Sequence, residues 1–242
     1  MREDICSIPI SEIFEPKDGC PFCRMRDMLE DRMATYITGA AMMEPDVRVE
    51  TNRLGFCHQH FEQILQRGSR LSVALILESL LDEAGKEILP EDDKLAPKKI
   101  LAAADRRAHA DRRAHSCFVC ENVEKNMQHL SATVIKLWQS EPEFRTLYSE
   151  QTHICLPHYS FILAAAQKMP RKNFQPFAAE TKRLAKNYLD TVKADTTHFC
   201  RMFDYRNAGG DWGNSRDAIE RAITYLTSRE PTVTTKTEGK NR

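Results

Sequence analysis

The chain has no charge imbalance: 35 lysines and arginines are matched by 35 aspartates and glutamates over 242 residues. A general role in binding polyanions therefore has no support from bulk electrostatics. Long hydrophobic runs are also missing. No stretch approaches the roughly 20 apolar residues that a membrane span needs, so membrane insertion is not expected. Met1-Arg2-Glu3-Asp4 leads into no apolar segment, so no signal peptide is expected and the chain reads as cytoplasmic, in a reducing compartment. The period-two alternation that marks half-buried strands is scarce, which points away from a sheet-built fold.

Cysteine is plentiful, and it is patterned. In a reducing compartment eight cysteines are better read as ligands than as disulfides. Six of them fall into one signature written twice. Cys20-Pro-Phe-Cys23 is followed by Cys57-His-Gln-His60 after 33 intervening residues, and Cys117-Phe-Val-Cys120 by Cys155-Leu-Pro-His158 after 34. Each half thus reads Cys-x2-Cys … Cys-x2-His, three thiolates and one imidazole. That donor set suits tetrahedral zinc. A site with four protein ligands leaves no open position for water, so structural zinc is expected, two per chain, with an iron–sulfur cluster as the alternative. The expected pairing is within each half: Cys20, Cys23, Cys57 and His60 around one ion, Cys117, Cys120, Cys155 and His158 around the other. The spacing leaves open a crossed pairing, in which the Cys-x2-Cys of one half meets the Cys-x2-His of the other. His60 is preferred over His58 because the second half offers only His158 at the matching place. His58, His129 and His153 read as surface or outer residues, and Cys6 and Cys200 are left without a role.

The duplication extends beyond the ligands. Glu44-Pro45-Asp46-Val47-Arg48 precedes Cys57 at nearly the distance at which Glu141-Pro142-Glu143-Phe144-Arg145 precedes Cys155. An internal repeat over about residues 14–88 and 112–170 follows. Arg48 and Arg145 read as support for the centres, pairing with carboxylates or helix C-terminal carbonyls. The apolar periodicity is helical nearly throughout, as in Met25, Met28, Leu29, Met33, Tyr36 and Ile37. Pro45 and Pro142 suit first helical turns, where no N–H is missed. One helix is predicted to end near Gly68 and the next to open at Ser69 or Arg70. Long helices are predicted over about 175–203 and 214–228.

The fold expected is all-α, a helical pseudo-twofold repeat on two metal modules. Residues 1–88 form the first module, 89–111 a linker and basic helix, and 112–170 the second module. Residues 171–228 form C-terminal helices packing on both, and 229–242 a disordered tail. The linker holds a micro-repeat, Asp105-Arg-Arg-Ala-His109 and Asp111-Arg-Arg-Ala-His115, read as a solvated helix rather than a nucleic-acid surface.

The segment from His198 to Asp217 occurs once and is dense in polar groups, with one tryptophan. Asp204, Arg206, Asp211 and Trp212 are its binding candidates, and an enzyme site at Asp204–Asp217 is one alternative. The structural expectation is that Gly209 and Gly210 end the long helix, Asn214 caps the last one with Asp217 at its third position, and Arg206 pairs with Asp211. His198 and Cys200, two apart on a helix, are a poor nucleophile–base pair.

Taken together, the CPFC, MMEPDVR, TNRLGFCHQH and FDYRNAGGDWGNSRDA segments resemble a bacterial domain-of-unknown-function family over about Ile8 to Leu226. The resemblance implies a metal-binding protein and brings no established activity. The resulting expectation is a zinc-binding scaffold or regulatory protein acting on an unknown protein partner. The alternative is a thiol-redox or iron–sulfur protein using the Cys-x2-Cys pairs.

Overall fold

The computed structural model describes residues 8–88 and 115–232. Cys6, the linker with Arg106, Arg107, Arg112 and Arg113, and all but the start of the 229–242 tail lie outside the described residues. Among the described residues the protein is all-α, with ten α-helices and no strand. They are α1 (Ile8–Phe14), α2 (Pro21–Thr38), α3 (Pro45–Leu54), α4 (His58–Arg67), α5 (Arg70–Ile88), α6 (Phe118–Ser140), α7 (Pro142–Ser149), α8 (Leu156–Ala166), α9 (Arg171–Met202) and α10 (Ala218–Thr227). No helix among the described residues is long and apolar enough to cross a membrane.

Local chemistry sets the helix boundaries. Pro45 and Pro142 each occupy the first turn of their helix, where the fixed φ suits the helix and the missing N–H costs nothing. Helix α4 ends at Arg67 with Gly68 as its cap, and Ser69 Oγ accepts the Ser72 amide at the start of α5, as a capping serine does.

The chain divides into two compact units: the described residues of Met1–Met25 together with Gln128–Arg242, and those of Arg26–Met127. In the first unit the long α9 packs along α8 and α10, and α1 packs on α7. Phe14, Phe22, Phe144, Tyr148 and Phe177 are fully buried there. Phe14 touches Phe22, Phe144 and Tyr148 with ring centroids 5.9, 5.2 and 5.8 Å apart. Each such ring stabilises the unit by up to about 1.5–3 kcal/mol on burial. The buried Tyr148 hydroxyl meets Thr181 Oγ1 at 2.9 Å, so its polar end is satisfied. In the second unit α5 packs against α3 and α4 and buries Val73 and Ile76.

The structure corrects the reading of the C-terminal segment. Helix α9 ends at Met202 and not at the glycines, because the chain turns into a 3₁₀ segment, Tyr205–Asn207, before reaching them. Asp204 starts that turn by accepting the Arg206 amide. Asn214 sits in a second 3₁₀ turn, Gly213–Ser215, and Asp217 rather than Asn214 is the cap of α10. The Asp217 carboxylate is drawn to Arg221, 3.0 Å away.

Candidate metal centres

All four ligand pairs occupy the same place on their helices. Cys57 and Cys155 are the N-cap residues of α4 and α8, and His60 and His158 follow at the third position. Cys20 and Cys117 directly precede α2 and α6, with Cys23 and Cys120 at the third position. The four leading cysteines each accept the amide four residues on, at 3.2, 2.9, 3.0 and 2.8 Å for Cys20, Cys57, Cys117 and Cys155. Cap and third residue lie on one face of a first turn, so each helix presents two donors to one point. The positive end of the helix dipole also favours thiolate there.

Two such helix starts meet at each centre, and they meet crosswise. One quartet is Cys20, Cys23, Cys155 and His158; the other is Cys57, His60, Cys117 and Cys120. The pairing within each half that the sequence suggested is therefore corrected, although the eight side chains that gather are those of the motifs. Helix lengths within each half are unequal. Helix α2 has 18 residues and is about 27 Å long, while the 10 residues of α3 span about 15 Å. The second half is more lopsided, with 23 residues in α6 and 8 in α7, about 35 Å against about 12 Å.

The donor atoms fit a single ion. In each quartet they all lie within 4.8 Å of one another. Cys23 and Cys155 sulfurs are 3.7 Å apart, those of Cys57 and Cys120 3.9 Å. A tetrahedral ion with metal–sulfur bonds of about 2.3 Å sets its sulfurs about 3.8 Å apart. Both histidines face the sulfurs through Nδ1, at 3.1 Å from the cysteine of their own turn. Nδ1 of His158 is 3.7 and 3.4 Å from Cys20 and Cys23, and that of His60 3.3 and 3.4 Å from Cys117 and Cys120.

Electrostatics favour a cation at each centre. Burial opposes ionisation of Cys117, but His60 and the backbone N–H of Cys120 outweigh it and bring the thiol down to about 6. Burial and the Cys117 charge then push Cys120 up. His60 is raised to about 10 because Cys117 and Glu30 prevail over burial. In the other quartet burial opposes ionisation of Cys20, but Cys155, Cys23 and His158 hold it well below the ordinary range. Cys155 is pushed up to about 12, mainly by Cys20, and Cys23 is pushed up, mainly by Cys155. One thiolate forms readily in each quartet and opposes the next; a divalent cation removes that opposition.

Outer contacts hold the ligands in place. Phe118 N–H donates to the Gly55 carbonyl at 2.9 Å, and Ser116 Oγ donates to the Leu54 carbonyl at 2.7 Å. These bonds seat the Cys117 turn beside the loop that carries Cys57. Gly55 adopts φ 62° and ψ −159°, a region open essentially to glycine alone. In the first unit Arg24 plays the equivalent part. It donates to the Ile13 and Pro16 carbonyls and to Gln151 Oε1 at 2.9, 2.6 and 2.9 Å, tying the loop before Cys20 to the loop before Cys155. Ser228, left-handed at φ 59°, has its carbonyl 3.7 Å from Cys23 Sγ.

Sequence reasoning missed Glu30. This buried carboxylate lies 3.6 Å from the buried His60 Nε2, just beyond hydrogen-bond length, and 3.9 Å from Arg26. A carboxylate behind a ligating imidazole orients the ring and raises its basicity. Its only sequence signal is an Arg26–Glu30 i,i+4 pair, which is indistinguishable from a surface pair until the crossing is known. Glu30→Gln is expected to weaken ion binding at the Cys57 centre by about 10–100-fold and to leave the Cys20 centre unchanged, as read by competition with a chromophoric chelator.

Other candidates fall elsewhere. Arg145 donates to the Trp138 and Gln139 carbonyls at 2.6 Å each, in the last turn of α6, and lies over the Trp138 ring at 5.2 Å. Arg48 donates to the Leu75 carbonyl at 3.0 Å, inside α5. Arg206 pairs with Asp204 at 2.6 Å rather than with Asp211. Asp211 accepts the Gly213 amide at 2.9 Å, and its carbonyl is 2.9 Å from His198 Nε2. Trp212 packs on Phe199 and Phe203. These polar groups are occupied with one another. His58 is exposed and faces Glu62, and His129 is exposed. His153 is buried and stacked on Tyr188 at 3.7 Å, so it is not a surface residue. Cys200 is exposed and borders an apolar hollow of about 270 Å³ with Val192, Thr196, Tyr225 and Leu226.

The class so defined is an all-helical protein with two Cys₃His clusters suited to a metal ion. The chain belongs to the family of unknown function DUF6062, whose model matches residues 1–233. No curated protein and no solved structure matches it.

Proposed function

We propose that the protein is a zinc-binding scaffold or regulatory protein, with two structural zinc ions held crosswise and no reaction at either. The observation that carries this reading is the single-ion spacing of three sulfurs and one Nδ1 in both quartets. Four protein donors complete a tetrahedral shell, which is the arrangement of structural rather than catalytic zinc. The spacing favours one ion over a cluster, since a cluster spreads its ligands over several irons. The neutral overall charge gives nucleic acid no general attraction, so the partner is a protein. The exposed Phe203 and Tyr205, beside Asp204 and Arg206, support the 204–217 surface as its contact, since exposed aromatics and arginine are typical of interface anchors. A reducing, cytoplasmic setting keeps the thiols available.

X-ray absorption at the zinc edge of anaerobically purified protein tests the reading. Three sulfurs at about 2.3 Å and one nitrogen at about 2.0–2.1 Å are expected; an iron edge with a short metal–metal distance overturns it. Ion binding is also expected to strengthen with pH. Cys120, Cys155 and His60 sit above their ordinary ranges in the bare quartets and so carry protons at neutral pH. The ion must displace these protons. Affinity should rise from pH 6 to 8 and fall on acidification, with net proton release on loading in weakly buffered solution. A flat profile contradicts this.

A further inference from the structure

The two centres differ in what solvent can reach. At the Cys20 centre, Cys20, Cys155 and His158 are buried and Cys23 is half-buried. At the Cys57 centre His60 and Cys117 are buried, but Cys57 is half-buried and Cys120 is exposed. The two accessible sulfurs at this second centre are neighbours, 3.9 Å apart, and come from different helix starts, the N-cap of α4 and the third position of α6. Closeness and access coincide here and not at the Cys20 centre, where the neighbour of Cys23 is the fully buried Cys155.

We propose that Cys120 and Cys57 are an oxidant-sensing pair that opens this centre to hydrogen peroxide or an organic hydroperoxide. The proposal rests on the reading of the quartet as a metal centre. In the ion-loaded centre, where Cys120 is a deprotonated ligand, its thiolate attacks a peroxide oxygen, the O–O bond breaks, and the departing hydroxide takes a proton to leave as water (an alkoxide leaves as alcohol). Cys120 is then a sulfenic acid. The Cys57 thiolate attacks its sulfur, the S–S bond forms, the S–O bond breaks, and a second hydroxide leaves as water after taking a proton. Two electrons pass from the sulfurs to the peroxide. Of the quartet, His60 and Cys117 then remain, half of a tetrahedral set, and the ion is released. The buried Cys20 centre keeps its ion because oxidation follows exposure as well as thiolate character.

The test uses the full chain loaded with two zinc ions and titrated with hydrogen peroxide. Zinc release is followed with a chromophoric chelator, and disulfides are mapped by mass spectrometry. The expected result is release of one ion per chain before any loss of the second, accompanied by a Cys57–Cys120 disulfide. Simultaneous release of both ions, earlier oxidation of Cys20, Cys23 or Cys155, or a Cys117–Cys120 disulfide with Cys57 still free would each overturn it. Cys200→Ser is expected to respond as the unaltered chain does; loss of the response would assign it to the exposed Cys200 instead. A chain that never holds two ions fails before peroxide is added, which separates failure of the metal reading from failure of this one.

Discussion

Replacing Cys155 with serine is expected to reduce the bound zinc from two ions to one and to make Cys20 and Cys23, more than 130 residues away in sequence, newly reactive to iodoacetamide. Cys117 and Cys120 should stay protected. The spacing of the repeat suggests the opposite, since a within-half centre would expose Cys117 and Cys120 on loss of Cys155. The crossed structure groups Cys155 with Cys20 and Cys23, their donors all within 4.8 Å. Loss of a direct ligand should cost more than the roughly 10–100-fold that outer contacts are worth. Mass spectrometry of alkylated peptides from the metal-loaded variant reads the result, and labelling of Cys117 and Cys120 in place of Cys20 and Cys23 would refute the crossing.

Stripping both ions with a strong chelator is expected to unfold much of the protein. Each centre joins two helix starts that are distant in sequence, 132 residues apart for Cys23 and Cys155 and 63 for Cys57 and Cys120. Fastening such long loops offsets a large closure entropy. Structural zinc contributes on the order of 10 kcal/mol of folding free energy in peptide systems. For a chain of this size each kcal/mol moves Tm by about 2–4 °C, so chelation should lower Tm by at least about 20 °C or abolish the cooperative transition. Far-UV circular dichroism should lose helical signal in parallel. An unchanged melting curve would mean that the aromatic core of Phe14, Phe22, Phe144, Tyr148 and Phe177 suffices without the centres.

Much of this was legible in the sequence. Helical periodicity, the two prolines at first turns and the serine before α5 specify helices through local chemistry, and local chemistry is what a sequence displays. The choice of His60 over His58 was also local, since only His60 shares the cap-plus-three position of His158. The partnering of the quartets was not legible from ligand type, because both halves offer the same donors and either pairing satisfies an ion. What decides it is which helix starts meet, and that is a tertiary contact no local pattern displays. Glu30 was hidden for the same reason. Arg206 chose Asp204, two residues away, over Asp211 because the intervening 3₁₀ turn brings the near carboxylate to the guanidinium. His153 gave no signal of burial, since its cover, Tyr188 and Tyr225, comes from helices far along the chain.

The proposed zinc reading has thiolates and imidazoles from distant helix starts enclosing two single ions. Native mass spectrometry of the full chain, purified anaerobically without added metal, addresses it most directly. The account requires a folded species carrying two zinc ions; a folded species carrying none would contradict it.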